Sequence, residues 1–267
     1  MRVRRDHADL VLAELLDLAP SGVEEVQLPD GAIEYAVYGA SGELPALPAL
    51  QAAAGEALLD ISTQEVADDW DQRWRRFHRP LVLDGRLTVR PPWEPPGQTP
   101  IDLVVDPGRA FGTGAHATTR LCLELLLELA AEGPFVDVGC GSGVLAIAAA
   151  RLGFAPVLAV DNDPVAIEVT RANGLENQAD LDVRRLDLRR ERVPVAPTMT
   201  ANLLRPLLLE LARGWQDSSD GVPERLIASG LLTTEADEIA AAFAPLGLRE
   251  TARRGRGDWT ALLVELH

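Results

Sequence analysis

The chain has no lysine: all 25 of its basic residues are arginine, a coding preference from which no function follows. Cysteine and histidine are also scarce. Cys122, Cys140 and the four histidines, His7, His78, His116 and His267, fall at no metal-ligand or redox spacing, so neither a structural metal nor a disulfide is expected. No signal-peptide core is present, because residues 1–18 mix charges through their apolar positions, and the apolar stretch after Gly143 is broken by Arg151. A soluble, cytoplasmic protein without a membrane partner is expected. Positive charge is in deficit. With 41 acids against 25 arginines the net charge is −16, which disfavours direct nucleic-acid binding, since phosphate contacts dominate that affinity. A basic protein is the better expectation for a partner. The arginine groups at 73, 75, 76 and 79 and at 184, 185, 189 and 190 read as solvated faces.

What is present is a core and a turn. At 267 residues and 47% hydrophobic, the chain is long enough for one ordinary domain and a small one. The turn is Val136-Asp137-Val138-Gly139-Cys140-Gly141-Ser142-Gly143, three glycines at alternate positions that end an apolar run and open an alanine-rich helix. Residues 135–138 read as a buried parallel strand and 144–152 as the helix packing back on it, so the glycines let the backbone approach a ligand closely. A second apolar run, 157–160, ends in Asp161, an acid placed to accept hydrogen bonds from ribose hydroxyls. The spacing Gly-x-Gly-x-Gly differs from the dinucleotide fingerprint, whose helix N-terminus is set for pyrophosphate, and favours S-adenosylmethionine over a nicotinamide cofactor. Asp137 is expected to reach toward the ammonium group of that cofactor. Cys140, with no base near it in sequence, reads as a small loop filler.

Residues 1–64 read as a βαββαβ, ferredoxin-like module: strand 2–4, helix 8–18, strands 24–28 and 33–38, helix 47–56 and strand 57–62. Pro29-Asp30-Gly31 turns the middle pair into a hairpin with Ile33, Tyr35 and Val37 on one face. Residues 65–99, with Trp70, Trp74, Phe77, His78 and five prolines from Pro91 to Pro100, read as a stiff connector. From 100 to 267 strands and helices alternate, as in a parallel sheet covered on both faces. Strands are expected at 135–138, 157–160, 182–185, 198–202 and 225–228, with helices at 121–130, 164–177, 205–213 and 234–243. Segments 248–252 and 260–266 close the chain as a hairpin, which makes the fold class α/β, a doubly wound Rossmann-like sheet with a terminal antiparallel hairpin.

Three further segments carry a resemblance. Asp106-Pro107-Gly108-Arg109-Ala110-Phe111-Gly112-Thr113-Gly114-Ala115-His116-Ala117-Thr118-Thr119 precedes the glycine turn, Ala201-Asn202-Leu203-Leu204 ends the fourth strand of the large sheet, and Ala228-Ser229-Gly230-Leu231-Leu232 ends the fifth. Together they resemble the PrmA-type ribosomal protein methyltransferases, class I S-adenosylmethionine-dependent enzymes that modify protein eleven of the large subunit. The resemblance covers essentially the whole chain. It implies that Thr119, Gly139, Asp161 and Asn202 contact the cofactor, that Phe111, Thr113 and Gly114 lie over the reacting methyl, and that Asp187 holds the adenine amino group. With Asp137, Gly141 and Gly143 of the turn, these form the candidate cofactor set, and Asn202, Thr113 and Phe111 the candidate catalytic set. Arg205 departs from the family, which has a small residue there.

The function expected is methylation of lysine ε-amines or an N-terminal α-amine on a basic ribosomal protein, with residues 1–64 gripping the substrate. Alternatives are another protein or small-molecule amine on the same scaffold, a noncatalytic cofactor-binding protein, and a nicotinamide-dependent oxidoreductase. At residue level, Asn202 either accepts an amine proton or merely terminates a strand, and Thr118 and Thr119 either meet the ligand or cap a helix. His116 reads as a positioning residue rather than a base.

Overall fold

A computed structural model describes residues 1–18, 23–28, 31–37, 44–63, 79–106, 116–216 and 221–267; Trp70, Trp74, Phe77 and His78 lie outside them. The chain divides into two compact units, Met1–Arg73 and Trp74–His267.

The first unit has the elements β1 (Arg2–Val3), α1 (Ala8–Leu18), β2 (Glu24–Gln27), β3 (Ile33–Ala36), α2 (Leu47–Ala54) and β4 (Leu58–Asp60). The strands form an antiparallel sheet in the order β2-β3-β1-β4, the ferredoxin-like topology. The period-two pattern in β3 buries Ile33 and Tyr35 while Glu34 and Ala36 stay half-exposed. Tyr35 reaches the start of α1, its buried hydroxyl donating to Ala8 O at 2.9 Å. The β2–β3 turn closes on Gly31 at φ 84°, where Gly31 N donates to Leu28 O at 3.0 Å.

The second unit starts with a small sheet: β5 (Leu81–Leu83) antiparallel to β6 (Leu87–Arg90), and β6 parallel to β7 (Ile101–Val104). Residues 81–90, part of the stretch expected as a connector, are therefore two strands. The proline-rich segment after β6 is fastened rather than loose. Arg90 clamps the Asp102 carboxylate through Nε at 3.0 and 3.1 Å and through Nη2 at 2.9 Å, while its Nη1 donates to Glu94 O at 2.8 Å. Gly97 sits where a Cβ would come within 2.7 Å of Thr88 and 2.8 Å of Asp102.

The main sheet has β8 (Phe135–Val138), β9 (Val157–Asp161), β10 (Leu181–Arg185), β11 (Thr198–Asn202), β12 (Arg225–Leu232), β13 (Leu248–Arg256) and β14 (Trp259–Leu266). Their spatial order is β10-β9-β8-β11-β12-β14-β13, parallel from β10 to β12, with β14 antiparallel to both of its neighbours. This is the Rossmann-like class I methyltransferase fold. Among the described residues five helices cover the sheet: α3 (Ala117–Leu126), α4 (Val144–Leu152), α5 (Pro164–Glu176), α6 (Arg205–Gln216) and α7 (Ala236–Phe243). Both faces are buried, and every residue of β8 is buried with them, Asp137 included. Phe135 joins the core with Leu121, Leu125 and Ile147, and Val136 joins the opposite core with Leu208, Leu211 and Phe243. The strand order reverses between β8 and β11, so the carboxyl ends of β8, β9 and β11 surround a crevice.

The small sheet makes a testable contribution. A fragment starting at residue 100 loses Leu83, Leu87 and Val89, all essentially buried, each worth about 1.5–3 kcal/mol. Thermal denaturation should therefore find a fragment of residues 79–267 melting well above one of residues 100–267; equal melting temperatures would mean that β5 and β6 do not support the main sheet.

Candidate active site

The turn between β8 and α4 holds Gly139 at φ 75°, Gly141 at φ 53° and Gly143 at φ 83°, the left-handed region that side chains with a Cβ rarely adopt. Its backbone groups are satisfied from two elements, β9 and α5. Gly139 N and Cys140 N both donate to Val160 O, at 2.8 and 3.0 Å, and Gly141 N donates to Asp161 Oδ2 at 3.0 Å. From α5, Thr170 Oγ1 donates to Gly141 O at 2.9 Å and Asn173 Nδ2 donates to Ser142 O at 2.9 Å. The Cys140 thiol lies 3.3 Å from Thr170 Oγ1, and burial pushes its pKa up, so it remains a thiol and a filler. Cys122, fully buried, is pushed up to about 12, again by burial first.

A cleft of about 190 Å³ opens at this turn, where the tips of β8, β9 and β11 meet the start of α3. Thr119, Gly139, Gly141, Asp161, Asp187 and Asn202 all line it. Phe111, Thr113 and Gly114 lie outside the described residues. Two candidates do not line the cleft. Gly143 is the N-cap of α4, where a Cβ would meet Thr170 Cγ2 at 2.8 Å. Asp137 lies beneath the turn with no solvent exposure, its Oδ1 accepting from Thr200 Oγ1 at 2.7 Å and its Oδ2 from Ala146 N at 3.2 Å. One oxygen is thus taken by the first turn of α4 and the other by a hydroxyl of β11.

Two acids thus flank the turn. Burial raises the Asp137 pKa to about 7 against the pull of its two hydrogen bonds, with the Asp161 charge adding to the rise. Asp161 is raised for the same first reason, offset by the backbone N–H groups of Asp163 and Gly141. No cationic side chain offsets either carboxylate among the described residues. Asp187 opens a tight turn beyond β10, accepting from Arg189 N at 3.1 Å and facing Arg190 Nε at 3.4 Å.

Opposite the turn, Asn202 Nδ2 donates to Thr119 Oγ1 at 3.3 Å, which joins the tip of β11 to the first turn of α3. Thr119 therefore belongs to the cleft; the cap of α3 is His116, whose Nδ1 faces Thr118 Oγ1 at 2.8 Å. The His116 ring packs edge-on against Trp259 at 5.0 Å, and burial lowers its pKa, leaving the ring neutral. Arg205 turns away from the cleft: its Nη1 meets Glu238 at 2.9 Å and its Nε meets Glu235 at 3.4 Å. The departure from the family pattern is thus absorbed by ion pairs at the start of α6.

Sequence reasoning left three positions without roles. Leu203 is wedged between two glycines, since a Cβ on Gly139 would lie 2.3 Å from Leu203 Cδ2 and one on Gly230 would lie 2.4 Å from Leu203 O. Gly230, at φ 83°, falls in the register shift of β12 against β14. A glycine inside an apolar strand pattern is the signal that could have found it. Asn173 was the third, masked by its position inside a helix.

A sequence model described as ribosomal protein L11 methyltransferase (PrmA) matches residues 30–266. The chain belongs to this family. It is 39% identical over 203 residues to the ribosomal protein L11 methyltransferase of Heliobacterium modesticaldum, covering 74% of this chain and 64% of that protein. Against the enzyme of the same name from Symbiobacterium thermophilum it is 35% identical over 202 residues, covering 74% and 66%. The chain thus spans slightly less than two thirds of the length of both PrmA relatives. The crystal structure of ribosomal protein L11 methylase from Lactobacillus delbrueckii subsp. bulgaricus superposes with a TM-score of 0.62 at 27% identity, covering 71% of this chain and all of that one.

The buried acid gives a pH test. Because the Asp137 pKa is raised from 3.8 to about 7, the folded state holds a proton that the unfolded state releases between those values, so this group's contribution to stability falls as pH rises through that window. Asn at 137 can keep both hydrogen bonds without charge. Denaturant unfolding should show Asp137→Asn gaining on the wild type between pH 4 and 7 and holding a constant advantage above it; parallel curves would place the Asp137 pKa at its ordinary value.

Proposed function

We propose that this protein is an S-adenosylmethionine-dependent N-methyltransferase that modifies amino groups of ribosomal protein L11 in the cytoplasm. The observation that carries the reading is the convergence of the glycine turn, Asp161 and Asn202 on one cleft in a chain of the PrmA family. The residues suit the cofactor on three counts. Gly139 and Gly141 present backbone to the cleft, Asp161 offers ribose acceptors at the tip of β9, and two buried acids that no cationic side chain offsets among the described residues favour a positively charged ligand.

The cofactor supplies a methyl group on a sulfonium, already activated for in-line displacement. What the chain must do is bind and orient. Each Asp161 oxygen accepts one backbone N–H, which fixes the carboxylate and leaves further lone pairs for the ribose hydroxyls. Asp187, on the same cleft beyond β10, is assigned to the adenine amino group, and Phe111 and Thr113 to the reacting methyl, by likeness to the family.

The acceptor amine must be neutral to attack. Deprotonation at pH 7 costs about 4.6 kcal/mol for a lysine and about 1.1 kcal/mol for an α-amine. A water-poor cleft beside a cation lowers an amine pKa by desolvation and like charge, so no strong base is required. This agrees with the candidates at hand, since His116 is capping a helix and both thiols are held protonated. Asn202, its Nδ2 held by Thr119, has its carboxamide oxygen as the acceptor for an amine N–H, which aims the nitrogen lone pair. Residues 1–64, which hold none of the cofactor-binding candidates, are assigned to gripping the protein substrate.

Mass spectrometry of L11 after incubation with labelled S-adenosylmethionine is expected to show methylated amines; unmodified L11 would reject the substrate. Asn202→Ala should slow single-turnover methylation by about 100-fold while leaving cofactor affinity nearly unchanged, and normal turnover would make Asn202 a structural residue. Calorimetry should show Asp161→Ala weakening cofactor binding by about 1–3 kcal/mol, from loss of a charged acceptor.

A further inference from the structure

β7 has two hydrogen-bonding edges, and only one of them faces a strand. On the β6 side, Val105 N donates to Arg90 O at 2.8 Å. On the other side the partners are side chains of α5 and of the residue just past it. Asn177 takes both polar groups of Val104, its Oδ1 accepting from Val104 N at 2.8 Å and its Nδ2 donating to Val104 O at 2.6 Å. Two residues on, Asn173 takes both polar groups of Asp106, its Oδ1 accepting from Asp106 N at 3.1 Å and its Nδ2 donating to Asp106 O at 3.1 Å. Side-chain amides four residues apart on one helix face thus stand in for a neighbouring strand, matching the alternate-residue repeat of β7. Both asparagines are buried, at 4% and 3% exposure.

Asn173 does something that Asn177 does not: the same Nδ2 group that holds Asp106 O also holds Ser142 O, at 2.9 Å, in the glycine turn. A single amide group therefore bonds to the cofactor turn on one side and, on the other, to the last residue before 107–115, the segment that contains Phe111 and Thr113. We propose that Asn173 is a positioning residue that couples cofactor occupancy of the glycine turn to the backbone of Val104–Asp106, and so sets where the chain leads into that segment. Ligand pressed against Gly139–Gly141 restrains the adjoining Ser142 carbonyl, the Asn173 amide with it, and Asp106 through the amide. Asn177, bonded to Val104 and to its own helix at Asn173 O, serves as the fixed end. The inference rests on the cofactor reading above.

Hydrogen exchange on the full chain, with and without S-adenosylhomocysteine, tests it. In the wild type the ligand should slow exchange at Asp106 as well as in the glycine turn, by at least about fivefold, the lower end of ordinary site coupling. In Asn173→Ala the turn should keep its protection and Asp106 should lose its response to ligand. A merely structural Asn173 would raise exchange at Asp106 by the same factor in both states, leaving the ratio unchanged, and that result would overturn the proposal. Asn177→Ala should raise exchange at Val104 in both states while the Asp106 ratio persists. Should Asn173→Ala not fold, Asn173→Asp keeps an acceptor for Asp106 N but removes the amide donor to Ser142; a full ligand response there would equally refute the coupling. Calorimetric failure of the wild type to bind the ligand would reject the cofactor reading and the coupling with it, whereas binding with protection confined to the turn rejects only the coupling.

Discussion

Five consecutive residues, 139–143, run beyond the end of a buried strand, where the regular strand ladder stops and each of their N–H and C=O groups needs a partner. Much of the second unit is arranged around that need. Val160 O receives two N–H groups, Asp161 a third, and Thr170 and Asn173 come up from α5 to hold two carbonyls. Left unsatisfied, each buried group would cost about 1–3 kcal/mol, comparable with the whole contribution of a large core side chain. The glycines make the turn possible, but the donors and acceptors around it make it rigid enough to serve as the floor of a binding site.

That arrangement also explains which parts of the fold were legible in sequence. The strand at 135–138 and the helix at 144–152 were expected with the bounds observed, because one is apolar on both faces and the other is alanine-rich and ends at Gly153. The terminal hairpin and the tips of β9 and β11 carried recognisable chemistry, so Asp161 and Asn202 fell where they were expected. Helix α5 was placed by its Asp163-Pro164 start, yet its buried face could not be read. Thr170, Asn173 and Gly174 face inward there, with Asn177 just beyond, so polarity marked the inside and the usual hydrophobic period carried no signal. Strands β5 and β6 were hidden by the prolines that follow them, because the Arg90–Asp102 clamp that orders the segment joins residues twelve apart in sequence. Helix α3 begins at Ala117 rather than Leu121, since a histidine supplied the cap where a threonine was expected to. Asp137 was expected in the ligand's path because of its distance from the glycines, a distance that holds equally for a carboxylate pointing down between β11 and α4.

The chemistry left to the side chains of the cleft is mainly electrostatic and positional. Cys140 is held as a thiol by burial, His116 is neutral against Trp259, and Asn202 carries no charge. The two acids beneath and beside the turn are both disfavoured in their charged form by burial, while Asp187 and Arg189 line the cleft farther out, beyond β10. Under the proposed function such a site selects by sign and shape, since a cationic ligand offsets buried acids and an amine acceptor has to be neutral to attack.

The outer strand of the main sheet has a bearing on how the molecule behaves in a crowd. Among the described residues β13 pairs with β14 alone, which leaves a row of backbone donors and acceptors along its other side, the kind of edge on which protein chains aggregate. Arg249, Arg253 and Arg256 stand exposed along it, and Arg253 is anchored in place by Glu250 and Asp237. A strand from a second molecule would have to displace the water around those guanidinium groups and, if it were another copy of β13, set arginine against arginine. Such charges oppose growth of the edge beyond the seven strands of the described residues.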